Sequence, residues 1–296
     1  MEQELLVFIS VVDHKNFSRA AEELHMTQPA ISRYIKSLEK KLNTRLLDRN
    51  NKMVQLTKSG EIAYYHAKEI LGLHEQMQQL IDDLHNTASG KLKIGASYTF
   101  GEYILPHVIA TLREQYPLIT PSITIGNTRE IVELVQNRQL DIGIVEGEMT
   151  DEHLLHMEKF APDDMVIVTS SDTEELNTHD QLEEASWIVR EEGSGTREAT
   201  EKMFKAFGLS PVRKMEFGSN QIIKEAVEAG LGITFLSTWA IRKELALGTV
   251  QVLNIEGVSV KRSFTFVTQK TQYQAKSISV FVSLLRDFNN MKISSI

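Results

Sequence analysis

The chain has 296 residues, no cysteine, and 32 Lys and Arg against 40 Asp and Glu, a formal net charge of −8. That length corresponds to about two or three domains with real cores, and the missing thiols exclude a disulfide scaffold, a cysteine-ligated zinc site and a thiol redox sensor. No run approaches the roughly 18 apolar residues of a membrane span, and Glu2 and Glu4 stand where an export signal carries bases.

The charge is divided unevenly. Residues 1–60 hold ten Lys and Arg against seven Asp and Glu, a balance of +3, and the other 22 bases against 33 acids leave −11. A small basic module joined to a large acidic one is the asymmetry of a nucleic-acid binder. In the basic module Leu5, Phe8, Ile9 and Val12 recur at i, i+3, i+4 and i+7 and predict a first helix. Ser18 is the expected cap of a second helix, followed by Arg19 and a thin packing face of Ala20, Ala21 and Leu24. Thr27 then opens a third, with Pro29 tolerated in its first turn. Ile31, Ile35, Leu38 and Leu42 line the inner side of this helix, which leaves Gln28, Ser32, Arg33, Lys36 and Lys40 outside.

Two helices joined by a tight turn, the second basic and polar outside, form a helix-turn-helix. Such a helix fits the DNA major groove, where Gln pairs with adenine and Arg with guanine. For any one of these side chains a solvated helix face is the plainer reading; the whole constellation points to DNA. Asn50, Asn51, Lys52 and Met53, ahead of Val54-Gln55-Leu56, read as the tip of a β-wing, with Lys52 available to a phosphate.

From Thr57 to about Asn86 one helical pattern runs on, interrupted only by Gly60 and Gly72. Ile70, Leu73, Met77, Leu80 and Leu84 alternate spacings of 3 and 4, a heptad seam. The seam needs cover, either from the rest of this chain or from the same helix in a second copy. Thr87-Ala88-Ser89-Gly90 then supplies the small residues of a hinge.

The acidic part has an α/β rhythm. Strands are predicted at residues 92–96, 122–125, 140–145, 165–168, 187–189 and 232–235, with helices at 104–116 and 130–138 between the first three. Alternation of this kind predicts parallel sheets flanked by helices, in two sets and hence two subdomains. Ligands in such folds sit beyond the carboxyl ends of strands, at helix starts. Those positions hold Ser97, Tyr98 and Thr99; Asn127 and Thr128; Glu146; Ser194, Gly195, Thr196 and Arg197; and Asn220. Each hydroxyl or amide has a plainer use as a helix cap. The run Gly193-Ser194-Gly195-Thr196-Arg197 is stronger, because glycines, hydroxyls and a cation converge on one helix start. Glu146, Glu191 and Glu192 lie in the same loops and, pointed inward, would repel a highly charged anion, so a ligand with an amine stays open.

Enzyme signatures are missing: no phosphate-binding Gly-rich loop, no His-Glu-x-x-His and no Gly-x-Ser-x-Gly. His153 and His156 are three apart without a third partner, and we read them as surface residues and not as metal ligands.

Residues 17–24, 27–32, 35–39 and 46–49, with Leu56-Thr57-Lys58-Ser59-Gly60, resemble the LysR-type transcriptional regulators, and the layout extends the likeness over essentially the whole chain. Leu47 stands where that family often has Phe, a volume-conserving exchange. The loop Arg190-Glu191-Glu192-Gly193-Ser194-Gly195-Thr196-Arg197 resembles the loop in members governing sulfur assimilation and carbon fixation. The resemblance implies an α/β chain with a winged helix-turn-helix at 1–58, a dimerising linker helix at 59–89 and a periplasmic-binding-protein-like effector domain at 90–296. Two Rossmann-like subdomains are expected there, at about 90–161 with 268–296 and at 162–267. It further implies a cytoplasmic homodimer or homotetramer on double-stranded promoter DNA, a small anionic effector as co-inducer, no other cofactor, no membrane partner and no catalysis. The competing readings are a solute-binding protein, against which the basic module and missing export signal count, and a DNA-tethered enzyme.

Overall fold

The computed structural model describes residues 1–50, 53–85, 88–147, 154–173, 176, 178–253, 255 and 261–288. Asn51, Lys52, Asn86, Thr87 and His153, named above, lie outside them. Contacts divide the chain into two compact units, residues 1–85 with 137–139, and residues 86–136 with 140–296.

The first unit begins with α1 (Glu2–His14), α2 (Phe17–Glu23) and α3 (Gln28–Leu42). The hairpin of β1 (Leu47–Asn50) and β2 (Met53–Leu56) follows, Leu47 opposite Leu56, and then α4 (Lys58–Asp82). Val7, Phe8, Val11, Ala20, Ile31, Ile35 and Leu38 are fully buried in one core. Each large aliphatic among them contributes about 1.5–3 kcal/mol. The buried stripe of α1 is rotated from the predicted one, with Val7 and Val11 inside and Ile9 and Val12 half-buried. Leu42 is exposed, because α3 ends at the left-handed Asn43 beyond the edge of the core.

Capping also differs from expectation. Asn16, not Ser18, caps α2: its Oδ1 accepts from the backbone N–H of Ser18 at 2.8 Å and of Arg19 at 3.1 Å. The cap precedes the first apolar residue of the helix, Phe17, which a reading started from Ala20 overlooks. Thr27 holds the N-cap position of α3, but its hydroxyl makes no capping bond. At the start of α4, Thr57 Oγ1 accepts from Gly60 N at 2.9 Å and donates to Arg45 O at 2.7 Å. A Cβ on Gly60 would stand 2.0 Å from Leu46 O, so only glycine lets α4 approach the hairpin this closely. Along α4, Ile70, Leu73 and Met77 are half exposed and Leu80 half-buried.

The second unit comprises β3 (Gly90–Ser97), α5 (Tyr98–Tyr103), α6 (Leu105–Gln115), β4 (Ile119–Gly126), α7 (Thr128–Gln136), β5 (Ile142–Glu146) and β6 (Leu155–Ser170). It continues with α8 (His179–Glu184), β7 (Ser186–Arg190), α9 (Gly195–Phe207), β8 (Arg213–Phe217), α10 (Asn220–Glu228), β9 (Thr234–Ser237), α11 (Thr238–Leu247), β10 (Val250–Leu253), β11 (Lys261–Gln269) and α12 (Lys276–Arg286). The α/β class holds, and β3 pairs in parallel with β4 and β5, as β7 does with β8. The sheets are nevertheless mixed: β11 runs antiparallel to β5 and β6, and β9 and β10 antiparallel to β6. The long β6 is the reason. It starts ten residues before the predicted Met165, because Glu158, Lys159, Asp163 and Asp164 break the apolar signal. Up to Asp164 it pairs with β11 and from Met165 with β9, so one strand serves both halves of the unit. Phe100 packs edge-on against Phe264 at 5.2 Å in one core, and Trp187 against Phe204 at 4.7 Å in the other.

Candidate functional site

On the first unit the predicted contact residues share the surface of α2, the turn and α3. Residues 24–27 join the helices, with His25 at φ 51° and Met26 N donating back to Ala21 O at 2.8 Å. That closure brings the start of α3 to the surface. Ser18, Arg19, Thr27, Gln28, Pro29, Arg33 and Lys36 are exposed, and Ser32 is half-buried. Gln28 Nε2 donates to Ser32 Oγ at 3.4 Å, a long bond along the outer face.

The cations of α3 divide by face. Lys41, exposed on the flank of the helix, has its Nζ 2.6 Å from Glu4 Oε2, while Ser37 Oγ donates to Glu4 Oε1 at 2.6 Å. These two donors hold the Glu4 carboxyl down at about 2. Arg19, Arg33 and Lys36 have no ion pair among the described residues. Such unpaired, hydrated cations on one face are what phosphate contact and base readout require.

In the second unit the ends of β3, β5 and β7 meet the starts of α5, α7 and α9. Ser97, Tyr98, Thr99, Asn127, Thr128, Glu146, Arg190, Ser194, Gly195 and Thr196 line one narrow cleft. Nine of the eleven predicted residues therefore face one space. Asn220 is fully buried beside it, its Nδ2 donating to Thr99 Oγ1 at 3.3 Å. Arg197 does not line the cleft: its guanidinium donates to Glu201, Glu216 and the Arg190 carbonyl at 2.6, 3.1 and 2.8 Å.

Several polar groups also serve as caps. Asn127 Oδ1 accepts from Glu130 N at 3.0 Å, and Ser194 Oγ from Thr196 N at 3.2 Å. A Cβ on Gly195 would lie 2.2 Å from Glu146 O, so the backbone of α9 touches the end of β5 directly.

Four residues of this region were missing from the predicted set. Arg190 is 2% exposed; its Nε and Nη2 each donate at 2.7 Å to Glu191, Nη1 donates at 2.9 Å to Asn220 Oδ1, and the guanidinium lies 4.5 Å over the Tyr98 ring. Arg262 Nε donates to Asp163 Oδ2 at 2.7 Å, Nη2 to the same oxygen, and Nη1 to Thr196 Oγ1 at 3.0 Å. Ser237 Oγ completes the group by donating to Asp163 Oδ1 at 2.5 Å. Burial pushes the Asp163 carboxyl up, against the pull of Arg262 and Ser237. Arg190 and Ser237, the last residues of their strands, were detectable from position alone. Asp163 and Arg262 sit inside strands and carried no such signal.

Among the described residues no three His, Asp or Glu side chains gather to hold a metal, and no helix is long and apolar enough to cross a membrane. His156 is exposed, 3.6 Å from Glu158.

A family model described as bacterial regulatory helix-turn-helix protein, lysR family, matches residues 3–61, and one described as LysR substrate binding domain matches residues 85–290. The HTH-type transcriptional regulator CysL of Bacillus subtilis is 39% identical over 287 residues, covering 95% of each chain. A full-length OxyR variant from Pseudomonas aeruginosa shares the fold at a TM-score of 0.74 and 23% identity, over 97% of this chain and 94% of that one. The regulatory domain of CcmR from Synechocystis PCC6803, solved in complex with 2-PG, matches at a TM-score of 0.62 and 26% identity, over 69% of this chain and 99% of that one.

Proposed function

Because the chain belongs to the LysR family of bacterial transcription regulators, we propose that α3 reads the major groove and that the cleft beside Thr196 takes the signalling ligand. The protein is a DNA-binding regulator whose promoter binding responds to a small molecule. Arg19, Arg33 and Lys36, with Ser18, Thr27, Gln28, Pro29 and Ser32, form the DNA face, and Lys52 adds a phosphate contact from the wing. The observation that carries this is the pairing state of the cations: those on the outer face of α3 are exposed without counter-ions, whereas Lys41 on its flank is engaged.

The ligand is a small anion held near the start of α9, in the cleft walled by Arg190. CcmR, a relative in fold, was solved with 2-PG. Sulfur metabolism is the regulon to which the 190–197 loop points. The cleft binds without turning its ligand over, since Ser194 and Thr196 oxygens are engaged by backbone N–H groups and by Arg262 rather than by a base. In this reading the protein is no enzyme and works in the cytoplasm. The half-exposed stripe of Ile70, Leu73 and Met77 packs on a second copy, giving a homodimer, and two dimers a homotetramer. A ligand changes DNA binding only by favouring one conformation over another.

Footprinting of DNA upstream of the gene tests the DNA face: protection is expected from the wild type and lost with Arg33→Ala. Light scattering tests the seam, where the pair Leu73→Asp and Leu80→Asp should leave monomers; persistent dimers would refute it. A solute-binding protein is the weaker reading, because residues 3–61 match the helix-turn-helix family.

A further inference from the structure

The chemistry of the cleft is more specific than an anion hole, provided that the cleft is the effector site as read above. The two buried guanidiniums near it are already taken. Arg262 gives its bonds to Asp163 and Thr196, and Arg190 gives its own to Glu191 and Asn220. Glu146 lines the same space, is only 2% exposed, and its Oε1 has no hydrogen-bond partner among the described residues. Its neighbours do not help it. Ser97 Oγ donates to Ile144 O at 3.3 Å, and Thr128 Oγ1 donates to the main-chain oxygen of Glu146 at 3.0 Å. Asp163 does not serve it either, since its two oxygens are engaged by Arg262 and Ser237.

A buried carboxylate without a donor is strongly unfavourable. A ligand made only of oxyanion acceptors would worsen that balance, because it brings a second negative charge and no proton. The balance is restored by a ligand that brings its own N–H donors, best a positive one. We propose that the effector is an amine-bearing acid, its acidic group toward the start of α9 and its ammonium paired with Glu146.

The test uses the full-length protein and calorimetric titration with two matched pairs, each differing by one amine: L-aspartate against succinate, and O-phospho-L-serine against 3-phosphonooxypropanoate. The wild type is expected to bind the amine-bearing member of at least one pair about 10–100-fold more tightly. Glu146→Gln should erase that preference, and Glu146→Met serves if the amide variant does not fold, with a circular-dichroism melt as the check. Equal or tighter binding of the amine-free acids overturns the proposal, as does silence of all four probes or a preference that survives both variants. Thr196→Val separates the two levels. If it abolishes binding of amine-free acids, the cleft remains the effector site and only the role of Glu146 falls. If it and the Glu146 variants leave an amine preference untouched, the effector site itself lies elsewhere.

Discussion

The two units dispose of their cations in opposite ways. On α2 and α3, Arg19, Arg33 and Lys36 stand exposed and unpaired. Around the cleft, Arg190 and Arg262 are buried at 2% and 5% exposure, and carboxylates take up both. A hydrated cation loses little by waiting for a polyanion and gains when counterions are released. A desolvated one must be paired within the protein and then acts as scaffold. The first unit therefore leaves its positive charge open to a partner, while the second pairs its buried guanidiniums internally and leaves the Glu146 carboxyl lining the cleft.

The largest effect should come from breaking the buried set. Arg262→Ala leaves Asp163 buried without a counter-ion and should cost about 3–5 kcal/mol of stability, read as a lowered denaturant midpoint. A loss near zero would put Arg262 in the same class as the surface cations. Arg33→Ala should do the reverse, leaving the midpoint unmoved while promoter affinity falls by about 1–3 kcal/mol. Lys36→Ala should lower the salt slope of binding by about one.

Glu4 sharpens the contrast, because it is a buried charge on the DNA-binding unit and should obey the rule of the cleft. Its folded value of about 2 lies below the ordinary 4.5. The stabilisation is therefore complete above about pH 4.5 and is lost as the pH falls toward 2. Denaturation curves across that window should show the loss, and Glu4→Gln should flatten it.

Much of this was legible in the residues. The outer face of α3 follows from a 3.6-residue period and the polar side chains left outside it. The cleft follows from a topological rule that places ligands beyond strand ends, which is why Ser97, Thr128 and Thr196 were found without knowledge of any distance. Caps were less legible, since Asn16 and Ser18 are equally good candidates until the first turn is located. The pairing of Arg262 with Asp163 was not legible at all. The partners are 99 residues apart, and acids in the first half of β6 disguise it as a loop. Likewise Arg197 had the right position for the cleft, but its guanidinium found Glu201 and Glu216 nearer.

The change of partner along β6 has a mechanical consequence. Asp163 pairs across strands with Arg262 one residue before β6 leaves β11, and two residues later Met165 lies opposite Ser237 of β9. Any swing of one half of this unit against the other is thus a torsion at that crossing. Asp163, Arg262 and Ser237 are the side chains it would shear, and Thr196 ties them to the first turn of α9. A molecule seated there would press on the axle itself, and very small displacements at Thr196 would become angles at the far ends of the sheet.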